Sequence, residues 1–169
     1  MKKLIPLLFI LWSCSPDKVY DQTTINYEGE EILVGPITLE RLKQEPFAEW
    51  YNLYYEGTPP NTEQLDQIAD ELYETKITLF LGTWCSDSRE QIPGFIRMLK
   101  YSGYDFDNLN LIGIERKEDR SLVSPGGEEK GLNITHVPTY IFYQKGNEIG
   151  RIVEFPEKTL EEDMAKIIK

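Results

Sequence analysis

Residues 77–81 read Ile-Thr-Leu-Phe-Leu, and only Gly82-Thr83-Trp84-Cys85 separates them from a stretch with helical spacing over 86–101. A run with almost no polar face belongs to a strand covered on both sides, and a short hand-over from such a strand to a helix marks α/β architecture. Residues 109–115 (LNLIGIE) form a second buried strand. Residues 139–143 and 148–153 read as two further strands joined by the turn Gln144-Lys145-Gly146-Asn147, and 159–168 as a closing amphipathic helix. From residue 76 the expected order is β-α-β-(short helix)-β-β-α, with the short helix in the Gly- and Glu-rich stretch before 139. At 169 residues and 40% hydrophobic content, the chain supports one domain with a real core and not two.

The hand-over carries the chemistry. Cys85 stands at the start of the helix, where unpaired N–H groups and the positive end of the dipole favour a thiolate, the form that attacks a disulfide. Pro93 falls eight residues later inside the helix, and Val137-Pro138-Thr139 opens a later strand. With these three features in this order, the segment 76–169 resembles the thioredoxin superfamily, whose redox site is W-C-x-x-C at a helix N-terminus, with a Pro in the helix and a cis-Pro loop. The resemblance implies a thioredoxin-like three-layer fold around a central mixed β-sheet. It further implies that Trp84 shapes the thiol surface and that Val137, Pro138 and Thr139 present backbone to a docked partner.

Two positions depart from the family pattern. Ser88 stands where the resolving Cys would be, and Leu79 where the family often carries a buried Asp for proton transfer. A dithiol cycle within one site is therefore not available. Ser88 is still a candidate site residue, either donating a hydrogen bond to the Cys85 sulfur or capping the first helical turn. Asp87 adds a negative charge that opposes the dipole. What is left is monothiol or isomerase-like exchange with protein thiols or disulfides through Cys85. The alternative is a binding module that keeps the fold without catalysis. A peroxidase reading lacks its Thr-x-x-Cys pattern.

The N-terminus points to export. Lys2 and Lys3 precede an apolar run over 4–12 that is about half the ~20 residues a membrane-spanning helix needs. Leu11-Trp12-Ser13-Cys14 resembles a bacterial lipoprotein box, although Trp12 is unusual there. This implies cleavage after residue 13, lipidation of Cys14, a tether over 14–22 and a place in the cell envelope, anchored by lipid. A plain cleaved signal, a buried N-terminal helix, or a Cys14–Cys85 disulfide that lipidation would forbid, are the alternatives.

Residues 23–75 form an N-terminal extension. Strands at 23–27 and 31–34 flank the turn Glu28-Gly29-Glu30. Helical stretches follow at 39–44, with Thr38 as cap, at about 46–56 with Pro46 in its first turn, and at 61–73, where Asn61 and Gln64 resemble a capping box. Phe47, Trp50, Tyr51, Tyr54 and Tyr55 recur at helical spacing, as core packing or as a partner surface.

Composition closes other routes. A net charge of −11 excludes nucleic-acid binding over most of the surface. His136, the single His, lies near Pro138 as a candidate base, but Cys85, Asp87 and His136 lack metal-ligand spacing, so no metal and no cofactor are expected. Residues 105–116 fail as a calcium loop because Asn110 and Arg116 occupy the Gly and Glu positions. Ser124-Pro125-Gly126-Gly127 lacks the ending of a phosphate loop, and Asn133-Ile134-Thr135 is a glycosylation sequon only in form.

Overall fold

A computed structural model describes residues 18–57 and 59–169. The signal segment 1–13 and Cys14 lie outside the described residues.

Six strands form one mixed sheet. Strand β1 (Gln22–Ile25) and β2 (Glu31–Ile37) make the N-terminal hairpin, with Ile25 opposite Glu31. Its turn is closed by Asn26, whose Oδ1 accepts the N–H groups of Glu28 and Glu30 at 3.0 and 2.9 Å. Strand β2 runs on past residue 34, the end expected from sequence, and reaches the core of the molecule. Helices α1 (Leu39–Leu42), α2 (Ala48–Gly57), α3 (Thr62–Asp66) and α4 (Ala69–Tyr73) follow, then β3 (Lys76–Leu81), α5 (Ser86–Tyr101) and β4 (Leu109–Gly113). A two-stranded ribbon, β5 (Glu115–Arg116) and β6 (Leu122–Val123), precedes β7 (Thr139–Gln144), β8 (Asn147–Val153) and α6 (Leu160–Ile168). The sheet order is β1-β2-β4-β3-β7-β8. Only β3 and β4 are parallel, with Leu79 opposite Leu111; Leu79 also faces Tyr140 of the antiparallel β7. Strand β2 pairs with β4, Pro36 opposite Ile112, so the sheet crosses the sequence division at 75/76.

Alternation along β3 sorts the core into two faces. Ile77, Leu79 and Leu81 point to one side and join Leu111, Tyr140, Phe142 and Ile152 beneath the helices. All six helices contribute to this side. Helix α5 buries Ile92, Phe95, Ile96 and Leu99, at the spacing of one helical face. The aromatic cluster divides here: Phe47 and Tyr51 are buried against α5, while Trp50 and Tyr54 remain half-exposed. Burial drives the phenol of Tyr51 far above its ordinary range, and that of Tyr140 likewise.

Among the described residues, the opposite face is covered without a helix. Phe80, Ile112, Ile114, Val137 and Ile141 form a second buried cluster, roofed by Leu122, Leu132 and Ile134. The short helix expected before residue 139 is absent, and turns stand in its place. Pro125 removes a donor, Gly127 lies at φ +72°, and the Ser124 hydroxyl binds the Glu128 and Glu129 carboxylates, which ties the segment into local loops instead. The three layers are thus helices, sheet and a turn-built cover.

Smaller differences have local causes. The stretch 61–73 divides at Ile68, φ −124° and ψ 8°, and Asn61 makes no side-chain cap; its N–H donates instead to Glu161 Oε1 at 2.9 Å. Pro46 follows a cis peptide ahead of α2 and is not in its first turn. Thr38 caps α1 as its sequence suggests and is gripped by Asp21, whose carboxylate accepts both its N–H and its hydroxyl. Asp21 and Gln22 therefore belong to the folded body, where a tether was expected. Among the described residues, no helix is long and apolar enough to cross a membrane.

Replacing Phe80 with Ala, at the centre of the helix-free face, is expected to cost about 3–5 kcal/mol of unfolding free energy. Urea denaturation measures this loss, which limited proteolysis should localise first to the segment 117–137.

Candidate functional site

Parallel pairing of β3 and β4 delivers their C-terminal ends to one edge of the sheet, the place where α/β proteins collect functional groups. From β3 the chain turns through Gly82, whose carbonyl accepts the Cys85 N–H at 2.9 Å. Cys85 then sits at the N-cap of α5 with φ −87° and ψ 126°. The first-turn amides behind it have no partner within the helix. Cys85 is half-buried, carries a free thiol, and packs against the turn-covered face of the sheet.

The thiol makes two polar contacts. Its Sγ lies 3.4 Å from the Val137 carbonyl oxygen and 4.0 Å from Asp87 Oδ2, the two acceptors within reach of its single S–H. Val137 precedes a cis peptide bond to Pro138. The loop is held on each side: Thr139 Oγ1 donates to the His136 carbonyl at 2.7 Å, and the Glu154 N–H donates to the Pro138 carbonyl at 2.7 Å. The structure thus brings together Trp84, Cys85, Val137, Pro138 and Thr139, which lie far apart in sequence.

Trp84 forms the adjoining wall. Its indole N–H donates to the Ile114 carbonyl at 2.7 Å, and its ring lies across Gly82, where a Cβ would come within 2.7 Å of the indole carbon Cε2. Only glycine leaves room for that ring. The Arg116 guanidinium covers the Trp84 ring at 4.3 Å.

Ser88 has a different place from either expected role. It is buried, and its hydroxyl oxygen accepts the Gly82 N–H at 3.2 Å. It therefore secures the turn leading to Cys85, while the thiol's hydrogen bonds go elsewhere. Leu79 is fully buried in the helix-side core. His136 lines the cleft, but its ring nitrogens meet Thr135 Oγ1 at 3.1 Å and Glu154 Oε2 at 3.9 Å, with no bond to Cys85. Among the described residues, no group of three His, Cys, Asp or Glu side chains is arranged to hold a metal.

The cleft over the thiol has a volume of about 420 Å³, and Arg116, Arg120 and Glu154 join the expected residues in lining it. Sequence reasoning missed Arg116 and Arg120 because charge dominates 115–120 (ERKEDR), and Glu154 because nothing local distinguishes a carboxylate just past a strand. The available signal was the parallel partner strand: once 109–113 lies beside β3, the residues that follow it must emerge next to Trp84.

The N-terminal hairpin braces the same loop. Thr83 Oγ1 accepts the buried Leu33 N–H of β2 at 3.0 Å. Arg89 Nε donates to the Thr83 carbonyl at 2.6 Å while its guanidinium reaches Glu30 at 3.7 Å.

No family model and no curated protein matches the chain. Among solved structures it is similar to thioredoxin O1 from Arabidopsis thaliana in the oxidized state, with 20% identity and a TM-score of 0.40 over 64% of this chain and 89% of that one. A Fasciola hepatica thioredoxin is 17% identical, with a TM-score of 0.40 over 63% and 92% of the two chains. Mitochondrial thioredoxin 3 from Saccharomyces cerevisiae is 18% identical, with a TM-score of 0.37 over 68% and 96%.

Thr83→Val keeps the side-chain shape and removes the acceptor of the buried Leu33 N–H. The expected loss is about 1–3 kcal/mol in urea unfolding, the cost of a buried donor left unpaired; an unchanged midpoint would show that the N–H finds another partner.

Proposed function

We propose that this protein carries out thiol–disulfide exchange through Cys85 alone. The observation that carries the reading is the placement of one free thiol at the N-cap of a sixteen-residue helix, 3.4 Å from the Val137 carbonyl and open to a cleft. In the forward step the Cys85 thiol gives its proton to solvent and the thiolate attacks one sulfur of a partner disulfide. A Cys85–partner S–S bond forms, the partner's S–S bond breaks, and its other sulfur leaves as a thiolate that takes up a proton. With Ser88 in place of a second thiol, the adduct persists until a thiol of the same partner or of another molecule attacks it and releases Cys85. Such resolution reshuffles disulfides without net oxidation. The backbone of Val137, turned to the cleft ahead of Pro138, supplies the edge along which an extended partner lies, Thr139 being buried and paired on both sides within the sheet, and Trp84 keeps the other side of the sulfur dry.

The setting we propose is the bacterial cell envelope, with the protein held by lipid on Cys14; the support is the basic and apolar leader ending in Leu11-Trp12-Ser13-Cys14. A second reading is a partner-binding scaffold. It is favoured by Leu at 79 and Ser at 88, which leave neither a proton-transfer carboxylate nor a resolving thiol at those positions beside Cys85.

In a scrambled-disulfide refolding assay, the protein should speed recovery of the native substrate and Cys85→Ser should abolish the effect. Equal rates for the two would overturn exchange and leave the scaffold. Ser88→Cys should form an internal disulfide with Cys85, seen as the loss of two hydrogens by mass spectrometry, and gain reductase activity. For the anchor, Cys14→Ser should move the protein from the detergent phase to the aqueous phase and abolish labelling by a fatty-acid probe; retention in the detergent phase would rule out lipidation at Cys14.

A further inference from the structure

The cleft over Cys85 is charged unevenly. One wall is the β5–β6 ribbon, which contributes Arg116 and Arg120, while the other side contributes Asp87 from α5 and Glu154 beyond β8. This occurs on a chain with 18 basic and 29 acidic residues, so two arginines facing one thiol go against the general field.

The two arginines differ in what they already do. Arg116 is fixed: its guanidinium lies 4.3 Å from the Trp84 ring, donates to the Tyr27 hydroxyl at 2.8 Å and pairs with Glu28 at 3.6 Å. Arg120 is exposed at the ribbon turn, where its N–H donates to the Lys117 carbonyl at 2.8 Å. Its φ of +68° is costly for a residue with a long side chain, and glycine or asparagine would fit more cheaply. Among the described residues its guanidinium has no hydrogen bond and no ion pair. On the opposite side, Asp87 Oδ2 stands 4.0 Å from the sulfur and Glu154 stands 3.9 Å from His136.

We infer that this cleft selects sulfur partners that carry a carboxylate beside the reacting sulfur, with the carboxylate seated on the ribbon wall at Arg120 and Arg116. The inference rests on the exchange reading above and adds its substrate class. Asp87 and Glu154 repel an anion from the other wall, so the same charges that attract the partner also fix its direction across Cys85. Arg120 supplies the unspent charge, and Arg116 a planar guanidinium held in the cleft wall by Trp84, Tyr27 and Glu28.

The test measures second-order rates of Cys85 with an anionic, a neutral and a cationic disulfide: 5,5′-dithiobis(2-nitrobenzoate), 4,4′-dithiodipyridine and cystamine. The full chain is used in detergent, with the Cys85→Ser protein giving the background from Cys14. Arg120→Glu should lower the anionic-to-neutral rate ratio about tenfold and raise the cationic-to-neutral ratio, and ~0.5 M salt should shrink both changes. Lys145→Glu, the same charge change at the exposed β7–β8 turn, should leave the ratios alone. Equal ratios in wild type and Arg120→Glu, with all three probes reacting, would overturn charge selection and leave exchange intact. Failure of every probe to react with folded wild type would overturn both. Oxidised glutathione beside a disulfide peptide with aspartates flanking its cysteine tells a small molecule from a protein segment: the source is the one whose rate responds to Arg120→Glu, and insensitivity of both counts against the proposal.

Discussion

The parallel register of β3 and β4 is the constraint on which the site depends. With Leu79 opposite Leu111 and Leu81 opposite Gly113, both strands end at the same level. The loop after β3 then presents Trp84 and Cys85 directly beside the residues that follow β4. Slipping β4 by one residue against β3 would turn Ile112 toward the helices and move Arg116 off the Trp84 ring, because side chains alternate with a period of two. The dense apolar packing on both faces of β3 holds the register, so the core and the chemistry share one origin.

The hairpin at the start of the chain belongs to the same arrangement. Its β2 strand completes the sheet beside β4, and its turn reaches the site from two directions, through Arg89 to Glu30 and through Arg116 to Tyr27 and Glu28. The contact between Thr83 and the Leu33 N–H adds a buried tie between hairpin and loop. Residues near position 30 therefore stiffen a thiol near position 85. The individual surface ion pairs contribute little, but they converge on a loop already held by Thr83, Ser88 and Gly82.

What the sequence made legible was local and strongly patterned. The buried strand at 77–81, the helix at 86–101 and the Val137-Pro138-Thr139 loop announce themselves by hydrophobicity and by Pro, and the structure sets the last against Cys85. Two kinds of feature were not legible. Segments 61–73 and 115–138 lack a periodicity that fixes them: Leu65, Ile68 and Leu72 fit one helix as well as two, and the Gly- and Glu-rich stretch has no apolar face to count. Contacts made across the sheet were equally hidden, including the bond from Gly82 to Ser88 and the stacking of Arg116 on Trp84, since neither partner signals the other in one dimension. The helical layer was read correctly in kind but not in distribution, because hydrophobic spacing says that a helix is buried and not which face it covers.

The one-sided distribution of helices has a mechanical consequence. The helix side is a broad, continuous core, whereas the face beneath Cys85 is closed by short turns resting on a small cluster of side chains. Cooperative units of a protein open at different free energies, and a cover with few buried contacts opens before a layered core does. Opening of this cover would carry away the ribbon wall and loosen the seat of Val137 together, while α5 and the cysteine stayed in place. The thiol and the charged wall proposed to choose its partner thus belong to two different rungs of stability. On that proposal, modest heat or denaturant would strip selectivity from the protein before it unseated the thiol.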